Sequence, residues 1–412
     1  MTRYVVIMLL SCSIWLNAQS EFYFFSTEVP DKLPINKEAI SIQFPGDSTA
    51  FMTFFKKINE TAFMGKNKVQ IMHIGGSHVQ ADFWTNRLRQ NFYSFFPGTK
   101  QTRGYFFPYK MAKSNNPVSY KVEYTGKWNY SKCTLRDTNY VWGLAGYEVH
   151  TTDTFTQIII TFSPDDYEYF TGVRIYYRKD SLSYEICPAA GNLLRENRQH
   201  RDYDEFIWSD PQDTIFLVIT KTDTIQKRFQ LFGIETFNNW PGIIVHSIGV
   251  NGASVPSYLS CKKFKDHYNQ IKPDLVILSI GINDAYERDF SPERYKQNYD
   301  SLIAWLKEKN PDVQILLTTN NDSYYRRKYP NTNGELVELA MWELAQKYNA
   351  AYWDIFKIMG GLGSSRYWQK LGYMQADKIH FTRKGYELLG DMLFNALMQR
   401  YGEYLYIHRP LD

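Results

Sequence analysis

The chain has 412 residues, 44% of them hydrophobic and 17% aromatic, enough to bury a large core as two domains or one heavily decorated domain. Its formal net charge of +4 is small for that length. With no long Lys/Arg run or repeated basic patch, nucleic acid is not an expected partner.

The N-terminus carries Arg3, an apolar stretch from Tyr4 to Leu10 that continues weakly to Leu16, and then Asn17-Ala18-Gln19-Ser20. Small Ala18 before a polar segment reads as the end of an export signal over residues 1–18, which places the mature chain in the periplasm or outside the cell. The stretch is too short to span a membrane, which takes ~20 apolar residues. The alternative is a lipoprotein signal, Leu9-Leu10-Ser11-Cys12, anchoring the chain through Cys12, although bulky Leu10 stands where such signals hold a small residue. Cleavage after Ala18 leaves Cys133, Cys187 and Cys261. This odd set allows one disulfide at most, for which Cys133 and Cys187 in the same region are the candidates, or three free thiols. Residues 19–65 read as an N-terminal extension with a short amphipathic helix from Phe51 to Ile58.

Apolar runs bounded by turn residues follow at Val69 to Ile74, Ile243 to Ile248, Leu275 to Ile280, Val313 to Thr319 and Tyr352 to Phe356. Runs of this kind suit strands buried on both faces of a parallel sheet. Helical patterns lie between them. Gln80 to Tyr93 follows the first run. Ser291 and Pro292 read as an N-cap and first-turn proline, with Tyr295, Tyr299, Leu302, Ile303 and Leu306 on one face, up to Asn310-Pro311. Further helices are predicted over Glu335 to Tyr348 and after Thr382, where Tyr386, Leu389, Leu393 and Leu397 form a buried stripe. Alternating strand and helix predicts an α/β fold with a doubly wound, five-stranded parallel sheet, flavodoxin-like in outline.

Residues 101–240 interrupt that alternation. Tyr120 to Tyr124, Thr156 to Phe162, Val173 to Tyr177 and Thr214 to Thr220 are β-branched and aromatic runs separated by polar turns. They predict an all-β insertion, which makes the α/β domain discontinuous, over residues 66–100 and 241–405.

Four short segments carry candidate chemistry, each placed after a predicted strand and so at the carboxyl edge of the sheet, where open α/β sheets bind ligands. Gly75-Gly76-Ser77-His78 ends the first run and puts the Ser77 hydroxyl at a strand-to-helix turn, where the serine could otherwise serve as a helix cap. Gly249-Val250-Asn251-Gly252-Ala253-Ser254 and Gly281-Ile282-Asn283-Asp284 follow the second and third runs. The Ser77 and Gly252 N–H groups and the Asn283 amide could converge on an oxyanion. Asp377-Lys378-Ile379-His380 precedes the last helix, and its spacing lets one loop offer an imidazole to Ser77 while the carboxylate fixes its tautomer. His78 is expected in a capping or surface role, and His73 and His246 as satisfied core histidines. No Cys/His/Asp/Glu group has metal-ligand spacing, and no P-loop or dinucleotide fingerprint is present, so neither a metal nor a cofactor is expected.

In this order, Gly-Gly-Ser77, Gly252, Gly-Ile-Asn283 and Asp377-Lys-Ile-His380 resemble the blocks of the SGNH (GDSL-type) hydrolase superfamily, over roughly half of the chain. The resemblance implies Ser77, Asp377 and His380 as a catalytic triad, with Ser77, Gly252 and Asn283 forming the oxyanion hole. One departure is that Gly76 stands where the first block usually has aspartate. Asp82 is a candidate to replace that carboxylate, or else an exposed first-turn residue stabilising a helix dipole. Ser77-His78-Val79-Gln80-Ala81-Asp82-Phe83, the β-rich insertion and the Gly249 to Ser254 loop are also similar to exported SGNH esterases of bacterial envelopes that include peptidoglycan O-acetylesterases. That likeness implies an O-acetylated polysaccharide as substrate and a carbohydrate-contacting insertion. Gly360 to Trp368 lies shortly before the Asp/His loop, so Arg366 and Trp368 either contact substrate or belong to a connecting loop with a buried tryptophan. The rival readings are a polysaccharide O-acetyltransferase using the same triad and a noncatalytic glycan-binding protein. A lipase is disfavoured because no long apolar lid segment is present. The sequence gives no signal for oligomeric state.

Overall fold

The computed structural model describes residues 30, 32–135, 139–163 and 169–408. The predicted signal over residues 1–18, with Cys12, lies outside the described residues. Among those described, no helix is long and apolar enough to cross a membrane.

Five parallel strands form the central sheet in the order Gly242–Gly249, Lys68–Gly75, Leu275–Ser279, Gln314–Thr318 and Ala351–Trp353. These are the five apolar runs of the sequence, and the order reverses beside the strand that leads to Ser77. Side chains alternate between two buried faces. Val69, Ile71, Val245 and Ile277 pack with Leu389 and Leu393 of the last helix, Arg383–Ile407, while Met72, Ile74, Ile248 and Leu278 face the other core. Helix boundaries follow the capping chemistry: Ser291 accepts from the Arg294 N–H and Thr382 from the Gly385 N–H.

Both sheet edges are covered, which removes the exposed edges that invite association. Gln43 of the N-terminal extension bridges Tyr352 through two backbone hydrogen bonds of 2.8 and 2.9 Å. At the other edge, the insertion packs on Gly242–Gly249, where the Tyr105 N–H donates to His246 Nδ1 and the Tyr109 hydroxyl donates to the Gly249 carbonyl.

The insertion is built of antiparallel strands. One sheet runs Asn129–Lys132, Tyr147–Thr151, Phe229–Phe237, Phe170–Tyr177, Tyr203–Gln212 and Leu193–Asn197, with Gly104–Phe106 also paired to Phe229–Phe237. The second runs Tyr120–Tyr124, Phe155–Phe162, Thr214–Thr220 and Glu185–Pro188. In Thr214–Thr220 every second residue, Ile215, Leu217 and Ile219, is fully buried, the period-two pattern of a strand with one core face.

Several expectations shift. The helix expected over Gln80 to Tyr93 is broken into Ser77–Gln80 and Phe83–Phe95, because Asp82 adopts a left-handed φ of 61°. The helix of the extension runs longer, over Met52–Met64. The last strand stops at Trp353 because the Asp354 side chain caps a new helix, Ile355–Ile358, by accepting from the Lys357 N–H. Cys133, Cys187 and Cys261 are all free thiols. Cys187 lies in the strand Glu185–Pro188, whereas Cys133 follows Asn129–Lys132 of the other sheet, and the thiol close to Cys133 is the buried Cys261.

Candidate active site

Ser77 opens the short helix that follows the first strand of the central sheet. Its Oγ lies 2.8 Å from His380 Nε2, and His380 Nδ1 lies 2.8 Å from Asp377 Oδ2. His380 and Asp377 share one tight loop. Lys378 takes a left-handed φ of 55°, which turns the chain so that the N–H groups of Ile379 and His380 both donate to Asp377 Oδ1, at 2.9 and 3.0 Å. Burial opposes ionisation of Asp377, but bonds from the His380 ring and from these N–H groups prevail and hold its carboxyl well below the usual range. An ionised Asp377 keeps the proton of a neutral His380 on Nδ1 and leaves Nε2 as acceptor for the Ser77 hydroxyl. About a third of the His380 side chain is solvent-exposed (33%), so substrate can reach this point without opening the core.

The predicted oxyanion donors sit on the neighbouring turns. Gly252 has φ +85°, a conformation that would strain any side chain. The Asn283 Nδ2 group donates to the Ala253 carbonyl at 2.8 Å, which fixes the amide and leaves its second N–H for another acceptor. Gly76 touches the same amide, since a Cβ built there would lie 3.3 Å from Asn283 Nδ2. The Ala253 carbonyl that holds the amide lies beside Gly76 as well, 3.7 Å from the same Cβ position.

Asp82 is not an exposed first-turn residue. It is buried, 2.6 Å from Arg103 and 3.7 Å from Arg89, and also accepts from the Ser119 hydroxyl. Burial alone would raise its pKa, but the two guanidinium groups hold it below the ordinary aspartate value. His78 is likewise no surface residue. It is buried, bonded through Nδ1 to the Tyr386 hydroxyl at 2.9 Å, and stacked on His380. Trp368 is fully buried, with its Nε1 donating to the Met359 carbonyl, so it is a core residue and not a substrate contact. Arg366 is exposed, stacked on Tyr367. His73 and His246 are the satisfied core histidines expected: His73 bonds Thr85 and Ser279, and His246 bonds Gln70 and the Tyr105 N–H. Among the described residues, no group of three or more His, Cys, Asp or Glu side chains is placed to hold a metal ion.

Two supports of the site escaped the sequence reading. Gln80 is buried and uses both ends of its amide. Its Oε1 accepts from the Asn251 N–H (2.7 Å) and the Tyr147 hydroxyl (3.1 Å), while Nε2 donates to Ser114 Oγ (2.8 Å) and the Asn115 carbonyl (3.1 Å). One side chain, three residues after Ser77, therefore ties the Gly252 loop to the insertion. Asp284, beside Asn283, accepts from the Val255 N–H and so holds the far end of the same loop. Burial raises its pKa to about 7.

A five-stranded parallel α/β sheet with these residues at its carboxyl edge has the arrangement expected of an SGNH hydrolase. Residues 225–388 match the family model of GDSL-like lipases and acylhydrolases, which supports an SGNH (GDSL-type) hydrolase. The matched stretch starts inside the insertion and does not include Ser77. Among solved structures, the chain is similar to a peptidoglycan O-acetylesterase at a TM-score of 0.71 and 20% identity, over 88% of this chain and 99% of the other. That likeness spans the insertion as well as the α/β sheet. Shorter overlaps occur with a lipase/acylhydrolase from Enterococcus faecalis (TM-score 0.31, 23% identity, 39% of this chain and 77% of that one). An acetyl xylan esterase, AlAXEase, overlaps similarly (TM-score 0.30, 19% identity, 38% and 80%). Comparison with curated protein sequences gives no match.

Proposed function

We propose that this chain is an exported serine esterase that removes acyl groups, acetyl foremost, from an O-acylated polysaccharide. Its hydrolase domain comprises residues 66–100 and 241–405, with residues 101–240 as the inserted β-rich domain. The observation that carries this reading is the continuous relay of 2.8 Å from Ser77 Oγ to His380 Nε2 and 2.8 Å from His380 Nδ1 to Asp377. Its support from fold is the likeness to a peptidoglycan O-acetylesterase along nearly the whole chain.

In this reading Ser77 Oγ attacks the acyl carbonyl as its proton passes to His380 Nε2. The resulting oxyanion is met by the Ser77 and Gly252 N–H groups and the second N–H of Asn283. Collapse breaks the bond to the sugar oxygen, which takes the proton from His380 and leaves as the alcohol. Water, deprotonated by His380, then attacks the acyl-Ser77 and releases the carboxylic acid. The chemistry draws on no cofactor.

The test is hydrolysis of a short-chain activated acetate ester and of acetylated polysaccharides by the full chain, beside Ser77→Ala and His380→Ala. Turnover by the unaltered chain, reduced by about 10³-fold or more in both variants, supports the triad. Hydrolysis at the level of the variants overturns the reading.

A further inference from the structure

The fourth strand of the central sheet, Gln314–Thr318, ends at the same edge as Ser77 and leads through Asn320 to Ser323 into a small hairpin. Tyr324–Tyr325 pairs antiparallel with Tyr329–Pro330, and the tip between them is Arg326-Arg327-Lys328. Three successive cations are too short a run to stand out in a chain of 412 residues. Their placement in the fold gives them weight.

The hairpin touches both halves of the candidate site. The Tyr325 hydroxyl donates to the Ala285 carbonyl at 2.9 Å, two residues past Asn283. On the other side Lys378, between Asp377 and His380 in the same loop, donates to the Arg327 carbonyl at 2.9 Å and lies 4.6 Å from the centre of the Tyr324 ring. The Tyr324 hydroxyl donates to the Gly363 carbonyl, and Arg366 and Tyr367 on the next turn are close enough to act on its phenol. One wall beside His380 therefore brings together the hairpin tip, Lys378 and Arg366.

This wall has two unusual properties. Arg326 and Arg327 have left-handed φ values of 49° and 64°, and Lys378 has 55°. Such positions favour glycine or asparagine, and side chains elsewhere are held in them at a cost tolerated mainly at functional sites. Here three of them carry cations and lie together, whereas Lys113 and Lys272, the other left-handed lysines among the described residues, stand apart as end caps of short helices. Among the described residues, moreover, Arg326, Arg327, Lys328, Arg366 and Lys378 form no ion pair with a carboxylate, whereas Glu287 and Asp289 of the adjoining turn face Arg294. Exposed rings stand among them, with Tyr329 65% and Tyr367 47% exposed. Cations without counter-charges beside flat apolar faces suit a chain of sugars that bears negative groups, since rings stack on the aromatics while the charges meet guanidinium forks.

We infer that the Arg326–Lys328 hairpin, with Arg366 and Lys378, is an anion-recognising subsite that selects acylated polysaccharides carrying carboxylate or sulfate groups. The inference rests on the esterase reading and names the substrate class of the same site. Attraction across exposed charges is screened by salt, over ~8 Å at physiological ionic strength, so the preference must weaken as salt rises.

The test measures kcat/KM for deacetylation of three acetylated polymers by the full chain: a polyuronate, a sulfated glycan and a neutral mannan. The expected result is a preference for one or both anionic polymers that falls as salt is raised. In Arg326→Gln/Arg327→Gln the anionic-to-neutral ratio should drop about tenfold, with most of it restored in Arg326→Lys/Arg327→Lys. Recovery with lysine separates charge recognition from a structural role of the hairpin. Preference for the polyuronate alone assigns the subsite to carboxylates; preference for the sulfated glycan alone assigns it to sulfate. Equal use of all three polymers, or a ratio unmoved in the glutamine variant, overturns the inference and leaves the esterase reading intact. Failure to cleave even a small acetate ester overturns the esterase reading itself.

Discussion

The imidazole of His78 lies over that of His380, with ring centroids 5.1 Å apart and planes 28° from parallel. A second histidine this close to the proposed catalytic base would interfere if it were charged. Burial, with the neighbouring His380, instead pushes its pKa down to about 3, so it is neutral at pH 7. Its role is to support the His380 ring from behind, anchored by the Tyr386 hydroxyl.

His78→Phe keeps a flat ring under His380 but leaves the buried Tyr386 hydroxyl without this partner, at a cost of about 1–3 kcal/mol. The expected outcome is a lower Tm with the acid limb of the ester-hydrolysis pH profile in the same place. A displaced limb would show that His78 titrates with the reaction and would contradict its neutral role.

Acid stability follows from the same physics on a larger scale. His73, His78, His246 and His267 are all buried, and burial brings each to about 3 from an ordinary value of 6.5. Between those values the unfolded chain binds the protons and the folded chain does not. Stability contributed by these groups is therefore present above pH 6.5 and is lost progressively as pH falls toward 3. Thermal unfolding between pH 7 and 4 should show Tm declining steadily across this window. His246→Gln, which can still accept from the Tyr105 N–H, should flatten the decline; an unchanged slope would mean that His246 is not held neutral.

Much of this architecture was legible in the sequence, and the failures have physical causes. The first four apolar runs and the Ser291 and Thr382 caps are local signals, so their strands and helices emerged with nearly correct bounds, while the fifth run overran into the helix that Asp354 caps. Gly-Gly-Ser77, Asn283 and Asp377/His380 could be placed on one sheet edge because each follows a strand of a parallel sheet. What depends on contacts between distant segments was not visible. Asp82 looks like an exposed helix-start residue until Arg103, from the beginning of the insertion, is brought to it. Gln80 looks like any helical glutamine until Asn251, Tyr147 and Ser114 converge on its amide. For Trp368, on a glycine-rich stretch, the sequence left a substrate contact and a buried tryptophan both open; the indole is buried, held by the Met359 carbonyl and edge contact with Phe381.

Asp284 offers a separate test of how the Gly252 loop is held. Both of its oxygens accept from the single Val255 N–H, at 3.2 and 3.3 Å, so one oxygen is enough for that contact. Its folded-state pKa of about 7 lies above the ordinary 3.8, so the folded chain binds the extra proton between these values. The neutral form's stabilisation is fully present below pH 3.8 and is lost as pH rises through 7. Asp284→Asn keeps an acceptor and removes the buried charge. It should raise Tm at pH 8.5 and raise it less at pH 5. A lower Tm at pH 8.5 would mean that the ionised carboxylate is favoured in the fold.

The deepest electrostatic commitment is Asp82 with Arg103 and Arg89, whose side chains are each at most 2% exposed. Arg89 also reaches the Val245 carbonyl, at 2.9 and 3.3 Å, so the cluster joins the turn after Ser77, the insertion and the edge strand. Removing one member of such a buried set leaves charge uncompensated, which costs about 3–5 kcal/mol. Asp82→Ala should therefore unfold at much lower denaturant than the unaltered chain, by an amount in that range. Replacing all three by apolar residues, as in Asp82→Leu/Arg89→Met/Arg103→Met, should recover most of the loss, because no charge is then stranded among them. Asp82 also sets the left-handed turn that separates Ser77–Gln80 from Phe83–Phe95, so the recovered triple variant isolates its second effect. Activity that stays low after stability has returned would trace to a misdirected Ser77, whereas recovery of both would make the cluster purely a support of the fold.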